Sequence, residues 1–285
     1  MHSTIKKLST IIFLISISIS TSYGGGGWPQ EKGKGYFKLS QNFIISPFYY
    51  SPSGEIIDIR TTSLFTTSLY AEFGFTNRLT GILYLPFFVR GTLNEVRLNQ
   101  SGRVDPGDSF QSIGDTDIAL KYALIVNKPV VISATLLLGI PLGETAGGTS
   151  QILQSGDGEF NQMIRIDVSH SFHPKPVYVS AYAAFNNRTN GFSDEVRFGA
   201  EVGLTLKKFI PILKLNVVQS LFNGEGGTST QNGIFSNNTE YLSPTFELNY
   251  QATDKFGISG SVGGAFAARN ILAAPNWSLG VYLKL

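Results

Sequence analysis

In several segments of this 285-residue chain, charged side chains fall in phase with a two-residue period, with large apolar residues on the alternate positions. Asp117 and Lys121 alternate with Ile118, Leu120 and Tyr122; Arg165 and Asp167 with Ile164, Ile166 and Val168; Arg197 and Glu201 with Val196, Phe198 and Val202. Charges placed this way, once enclosed, can cross-link a filled interior as ion pairs or line a polar passage whose field acts on solutes. The candidate set is Glu72, Arg90, Asp117, Lys121, Arg165, Asp167, Arg197, Glu201, Lys214 and Glu247. Both signs are present, so the sequence assigns no ion preference.

Other chemistry finds little support. The chain has no cysteine, which removes disulfides, thiolate metal sites, a cysteine nucleophile and an acyl-lipid anchor. Of three histidines, His170 and His173 flank Pro174, with no His-x-Ser spacing and no orienting partner for an imidazole, so an acyl-transfer site is not assembled. Asp105, Asp108, Asp157 and Glu159 are oxygen ligands of the kind calcium takes, but without EF-hand spacing they read as solvated loop charges. Gly147-Gly148 and Gly226-Gly227 lack the Gly-Lys-Ser/Thr element of a phosphate loop. No cofactor, no metal and no enzymatic activity are expected.

The elements that must position these charges are strands. Over residues 195–205, Val196, Phe198, Ala200, Val202 and Leu204 fall on one face, with charges and glycines opposite; a helical period would mix the two sets. Residues 115–126, 161–172 and 242–252 repeat the pattern. Short connections at 76–78, 127–129, 173–176, 207–208 and 253–255 alternate with long ones at 46–58, 91–113, 142–159, 186–194, 221–238 and 268–275. Twelve strands follow, with both termini on the short-turn side. An even strand number, tight turns at one end and long loops at the other describe a transmembrane antiparallel up-and-down β-barrel. A soluble sandwich also alternates, but its strands are typically ~5–6 residues and nothing requires every second loop to be long.

Enclosure also fixes the register. Hydrocarbon offers no hydrogen-bond partner, so a sheet crosses a bilayer only when closed on itself. Turning Lys121, Arg165 and Arg197 toward lipid would cost ~2–4 kcal/mol each near the midplane, so the charged side is the inner one. Phe37, Phe73, Phe75, Phe172, Phe209 and Phe256 near the short turns, and Phe43, Phe87, Phe160, Phe185 and Trp277 toward the loops, fit two interfacial aromatic girdles.

Lys6 and Lys7, an apolar run over 8–20 and the small residues Ser20, Ser22 and Gly24 read as a secretory signal peptide. Its loss removes two positive charges and no acid from a formal +2, leaving a neutral chain with no case for nucleic acid. The expected organisation is a signal over 1–23, a flexible periplasmic lead-in over 24–34 and a barrel over 35–285. The expected location is a Gram-negative outer membrane with both termini periplasmic. The expected partners are outer-membrane lipids, the outer-membrane assembly machinery and an unidentified small solute.

Gly114-Asp115 opens a strand after a long loop, and Pro141-x-Gly143 closes the next; the lead-in carries Trp28-Pro29-Gln30 and Lys32-Gly33-Lys34-Gly35. These elements resemble the outer-membrane barrel family named for the meta pathway of phenol degradation, related to outer-membrane transporters of fatty acids and aromatic hydrocarbons. The resemblance implies passage of small, hydrophobic compounds and brings no catalytic residue. The related fatty-acid transporters carry an N-terminal plug, for which 24–34 is too short. The resulting expectation is a passive channel for small, hydrophobic solutes. The alternative is a non-conducting surface barrel whose long loops scaffold a partner such as exported polysaccharide.

Overall fold

The alternating segments are strands in the computed structural model of the chain, which describes residues 26–97, 102–225 and 235–285. The wall strands are β1 (Gly35–Tyr50), β2 (Ile56–Gly74), β3 (Leu79–Leu93), β4 (Thr116–Ile125), β5 (Val130–Ile140) and β6 (Asn161–Ser171). They continue as β7 (Val177–Arg188), β8 (Glu195–Leu204), β9 (Phe209–Ser220), β10 (Glu240–Gln251), β11 (Phe256–Gly263) and β12 (Asn276–Lys284). Each pairs antiparallel with its sequence neighbours, and β12 pairs back onto β1, so the sheet is a closed twelve-stranded barrel. Closure leaves no open edge, which satisfies the backbone without water. The signal expected over 1–23 lies outside the described residues.

Side chains sort as the period of two requires. On β4, Ile118, Leu120, Tyr122 and Leu124 are exposed on the outer wall, while Ala119, Lys121 and Ala123 are buried inside. The outer wall carries exposed Phe73, Phe75, Phe172, Phe209 and Phe256 near the short turns, and Phe87, Phe185 and Trp277 toward the long loops. Gly35 and Leu285 exchange backbone hydrogen bonds, placing the barrel's first and last residues together at the short-turn end.

Two local features depart from the sequence reading. The loop expected at 46–58 is shorter, because β1 and β2 keep pairing as far as Tyr50↔Ile56. The wall there is raised further by Ile271–Leu272 on β1, Asp108–Ser112 on β3 and Phe266–Arg269 on β10. The second is a bulge in β3: pairing moves from Leu69↔Leu85 to Thr67↔Phe88, three residues against two. Pro86 sits in it, unable to donate to a ladder, and its carbonyl accepts instead from Gly114 N at 2.8 Å. The extra residue reverses the alternation above it. Val89 and Leu93 are buried inside, and Arg90, expected in the lumen, is exposed on the outer side opposite Phe65.

Candidate functional site: the charged lumen

The inner end of the lumen is occupied by the chain's own N-terminal segment. Residues 26–34 enter the barrel rather than hanging beneath it. Lys32 bridges Gly74, and Gly33 N donates to Gly74 O at 2.8 Å. Gln30 N donates to Thr80 Oγ1 and its side-chain amide to Glu72 Oε2, at 2.8 and 2.9 Å. Farther in, Lys121 Nζ donates to the carbonyls of Gly26 and Trp28, both at 3.2 Å. Gly27 N donates to Ser169 Oγ at 2.8 Å, its carbonyl accepts from Ser133 Oγ, and the Trp28 ring stands edge-on to Tyr178 at 5.6 Å. The expected flexible lead-in is thus an ordered strap. Its glycines serve close approach: a Cβ on Gly26, at φ +68°, would lie 2.8 Å from Ser180 Oγ. Across the contact, a Cβ on Gly74 would lie 2.1 Å from Glu31 O.

Nine of the ten candidate charges face the lumen, and most are brought into contact. Lys121 and Glu72 pair at 3.6 Å behind the strap, with Tyr70 also donating to Glu72. Arg165 forks onto Asp167, Nε to Oδ2 at 2.9 Å, and its guanidinium lies 3.7 Å from the Tyr182 ring. Arg197 pairs with Glu195 at 2.6 Å. Glu247 receives Lys214 at 2.8 Å on one oxygen and Lys38 at 3.2 Å on the other. Asp117 and Glu201 face inward and form no ion pair among the described residues; Glu201 is hydrogen-bonded by Tyr178. Lys38, Tyr70, Tyr182 and Glu195 were missed from sequence. Lys38 was legible, since it sits in phase with Ser40 and Asn42 on β1, but one charge in an otherwise uncharged strand makes no visible pattern.

At the long-loop end, Arg188 is the hub. It binds Glu159 at 2.7 Å, Asp157 at 2.9 Å and Glu195 at 2.9 Å, with Phe192 under its guanidinium. Residues 141–160 are thereby folded into the mouth, with Leu153, Gln154 and Ser155 buried. Asp115 fastens the loop from below, its two oxygens accepting Gly143 N and Asp157 N at 2.9 and 2.8 Å. Burial, with neighbouring Asp115, pushes the Asp157 carboxyl up to about 6 against the pull of Arg188. Burial likewise raises Glu159. The four acids that could have suited calcium are engaged otherwise: Asp105 with Arg60, Asp108 with Ser150 and the Thr149 amide, Asp157 and Glu159 with Arg188.

Between strap and mouth lies a cavity of about 580 Å³. Its outer part mixes apolar Ile44, Leu64, Pro86, Val89 and Phe235 with polar Asp115, Ser155 and Asn276. Its middle is hydroxyl and amide, from Ser40, Asn42, Thr66, Ser68 and Ser278, and its floor holds Lys38, Lys214 and Glu247 with Tyr36 and Tyr70. A second space of about 290 Å³ lies beside the strap, between Asp117, Lys121 and Arg165. His170 is outside all of this, its Nδ1 2.6 Å from Pro129 O and its ring against Phe172.

Solved structures share this architecture. An outer membrane channel from Pseudomonas putida F1 superposes with a TM-score of 0.60 over 92% of this chain and 98% of its own, at 14% identity. The KdgM porin in complex with disordered oligogalacturonate gives 0.50 over 88% and 99%, at 10% identity. What the chain shares with them is the fold, a closed antiparallel β-barrel. No known family's sequence profile matches the chain, and no curated protein matches it by sequence.

Proposed function

We propose that this chain is a passive outer-membrane channel for small solutes. The observation that carries this reading is the polar-lined space of about 580 Å³ inside a wall whose outer face is apolar. A barrel serving only as a scaffold has no need to keep such a space, whereas a channel does. The fold's likeness to channels, one of them solved holding oligogalacturonate, supports the same reading. The outward belt of phenylalanines supports a position across a bilayer, and the short-turn end would then face the periplasm with both termini.

Membership of the phenol meta-pathway group, and the hydrophobic solutes it implies, belongs to this proposal. The apolar side chains Ile44, Leu64, Pro86, Val89 and Phe235 in the outer part of the cavity support admission of compounds with an apolar body. The floor is charged, which limits how far a wholly apolar compound would be welcome. The strap narrows the inner end, so a small unitary conductance is expected. Planar-bilayer recording with the purified, refolded barrel tests the reading: discrete steps above the bare bilayer support it. Folded barrel that inserts and passes no current would return the chain to the scaffold reading.

A further inference from the structure

The ion pairs exposed to the lumen share an asymmetry that a charge count hides. The Arg165 side chain is 28% exposed and Asp167 2%; Arg197 is 34% and Glu195 3%. Lys214 and Lys38 are 29% and 17% exposed, and the Glu247 between them 11%. In every case the carboxylate is sunk against the wall and the cation stands over it on the water side. Lys121 and Glu72, at 3% and 1%, are sealed behind the strap and contribute little to the open space. A solute feels the nearer end of each pair, because interaction energy falls with distance and the wall confines the field to the lumen. Three carboxylates oppose this: Glu201, directly across the ladder from Lys214, Asp117 near the mouth, and Asp115 on the cavity lining.

Resting on the channel reading, we propose that the lumen prefers anions and that Lys38 and Lys214 receive the carboxylate of a small organic acid on the floor of the cavity. An ammonium has three N–H donors. Each lysine gives one to a separate oxygen of Glu247 and presents the others to the space both line. The other carboxylate on that lining, Asp115, spends both oxygens on backbone N–H groups of the mouth loop. Hydroxyls of Ser40 and Ser278 stand on the same lining to complete the shell.

Reversal potentials of the refolded barrel across a potassium chloride gradient test this, together with sodium gluconate as a carboxylate probe against uncharged sorbitol. Chloride should permeate severalfold better than potassium. Gluconate, and not sorbitol, should reduce the chloride current. Lys38→Gln, which leaves Glu247 its Lys214 partner, should bring the permeability ratio toward one and relieve gluconate block. Glu247→Gln should raise anion preference, the opposite of what general damage to the lumen would do. A current with potassium preferred, or with gluconate and sorbitol equivalent, overturns the anion proposal and leaves the channel standing; absence of any current removes both.

Discussion

Lys121 shows how one side chain can join wall and strap. Its side chain is 3% exposed, and the ammonium touches Glu72 and holds two strap carbonyls. Replacing one member of a buried pair leaves the other uncompensated, at about 3–5 kcal/mol. Lys121→Met should therefore lower the barrel's free energy of unfolding in vesicles, read by denaturant titration, by an amount of that order. Lys121→Met with Glu72→Gln should lose less than the two single changes summed, since the second removes the stranded charge. Additive losses would mean that the two residues do not work as a pair. Arg90 shows the converse: its type fitted the lumen and its surroundings did not. The alternation that placed Lys121 correctly fails after Pro86, where one unpaired residue turns every later side chain of β3 to the opposite face.

At the scale of elements, the strap and the mouth loop are the two parts that decide how open the barrel is. Strap and wall meet backbone to backbone at Gly74, the last rung of the β2–β3 ladder, so Gly74→Val should expel the strap and leave the rungs above it in place. Unitary conductance should rise. In a Trp277→Phe background, Trp28 emission should shift to the red as its ring leaves Tyr178 for water. Unchanged emission and conductance would show that the strap does not restrict the inner end. The mouth loop carries a pH dependence of definite sign. Asp157 titrates at about 6 in the folded loop, above its ordinary value of 3.8, so the folded form holds the proton more tightly. Loop packing is then favoured as pH falls from above 6 toward 4 and weakened as pH rises through 6. Protection from hydrogen exchange over 143–159, taken relative to the intrinsic rate at each pH, should rise on acidification from pH 7.5 to 5, and Asp157→Asn should flatten that response. Protection that falls on acidification would contradict the assignment and point instead to loss of the Arg188 bridges.

For the whole molecule, the outer wall must meet hydrocarbon. Leu215 is exposed at mid-height of β9, and Phe209 sits beside the short turn on the same face. Leu215→Arg should cost ~2–4 kcal/mol in vesicles, and Phe209→Arg ~0–1 kcal/mol, because the penalty depends on depth. Equal effects at both positions would mean that no bilayer crosses this wall.

The amino-acid pattern alone determined the closed barrel, its twelve strands, the alternation of short turns with long loops, and the inward side of nine of ten charges. It could do so because pleat period and turn chemistry are local, and local properties are written in neighbouring residues. The tertiary structure decided what depends on residues far apart in the chain. It folded Gly26–Gln30 into the lumen, although the glycines there read as flexible, because Ser133, Ser169, Thr80 and Lys121 converge on that backbone only after closure. It drew Arg188 together with Asp157, Glu159 and Glu195. It also set each lumen cation above its carboxylate, an order of depth that no linear spacing encodes.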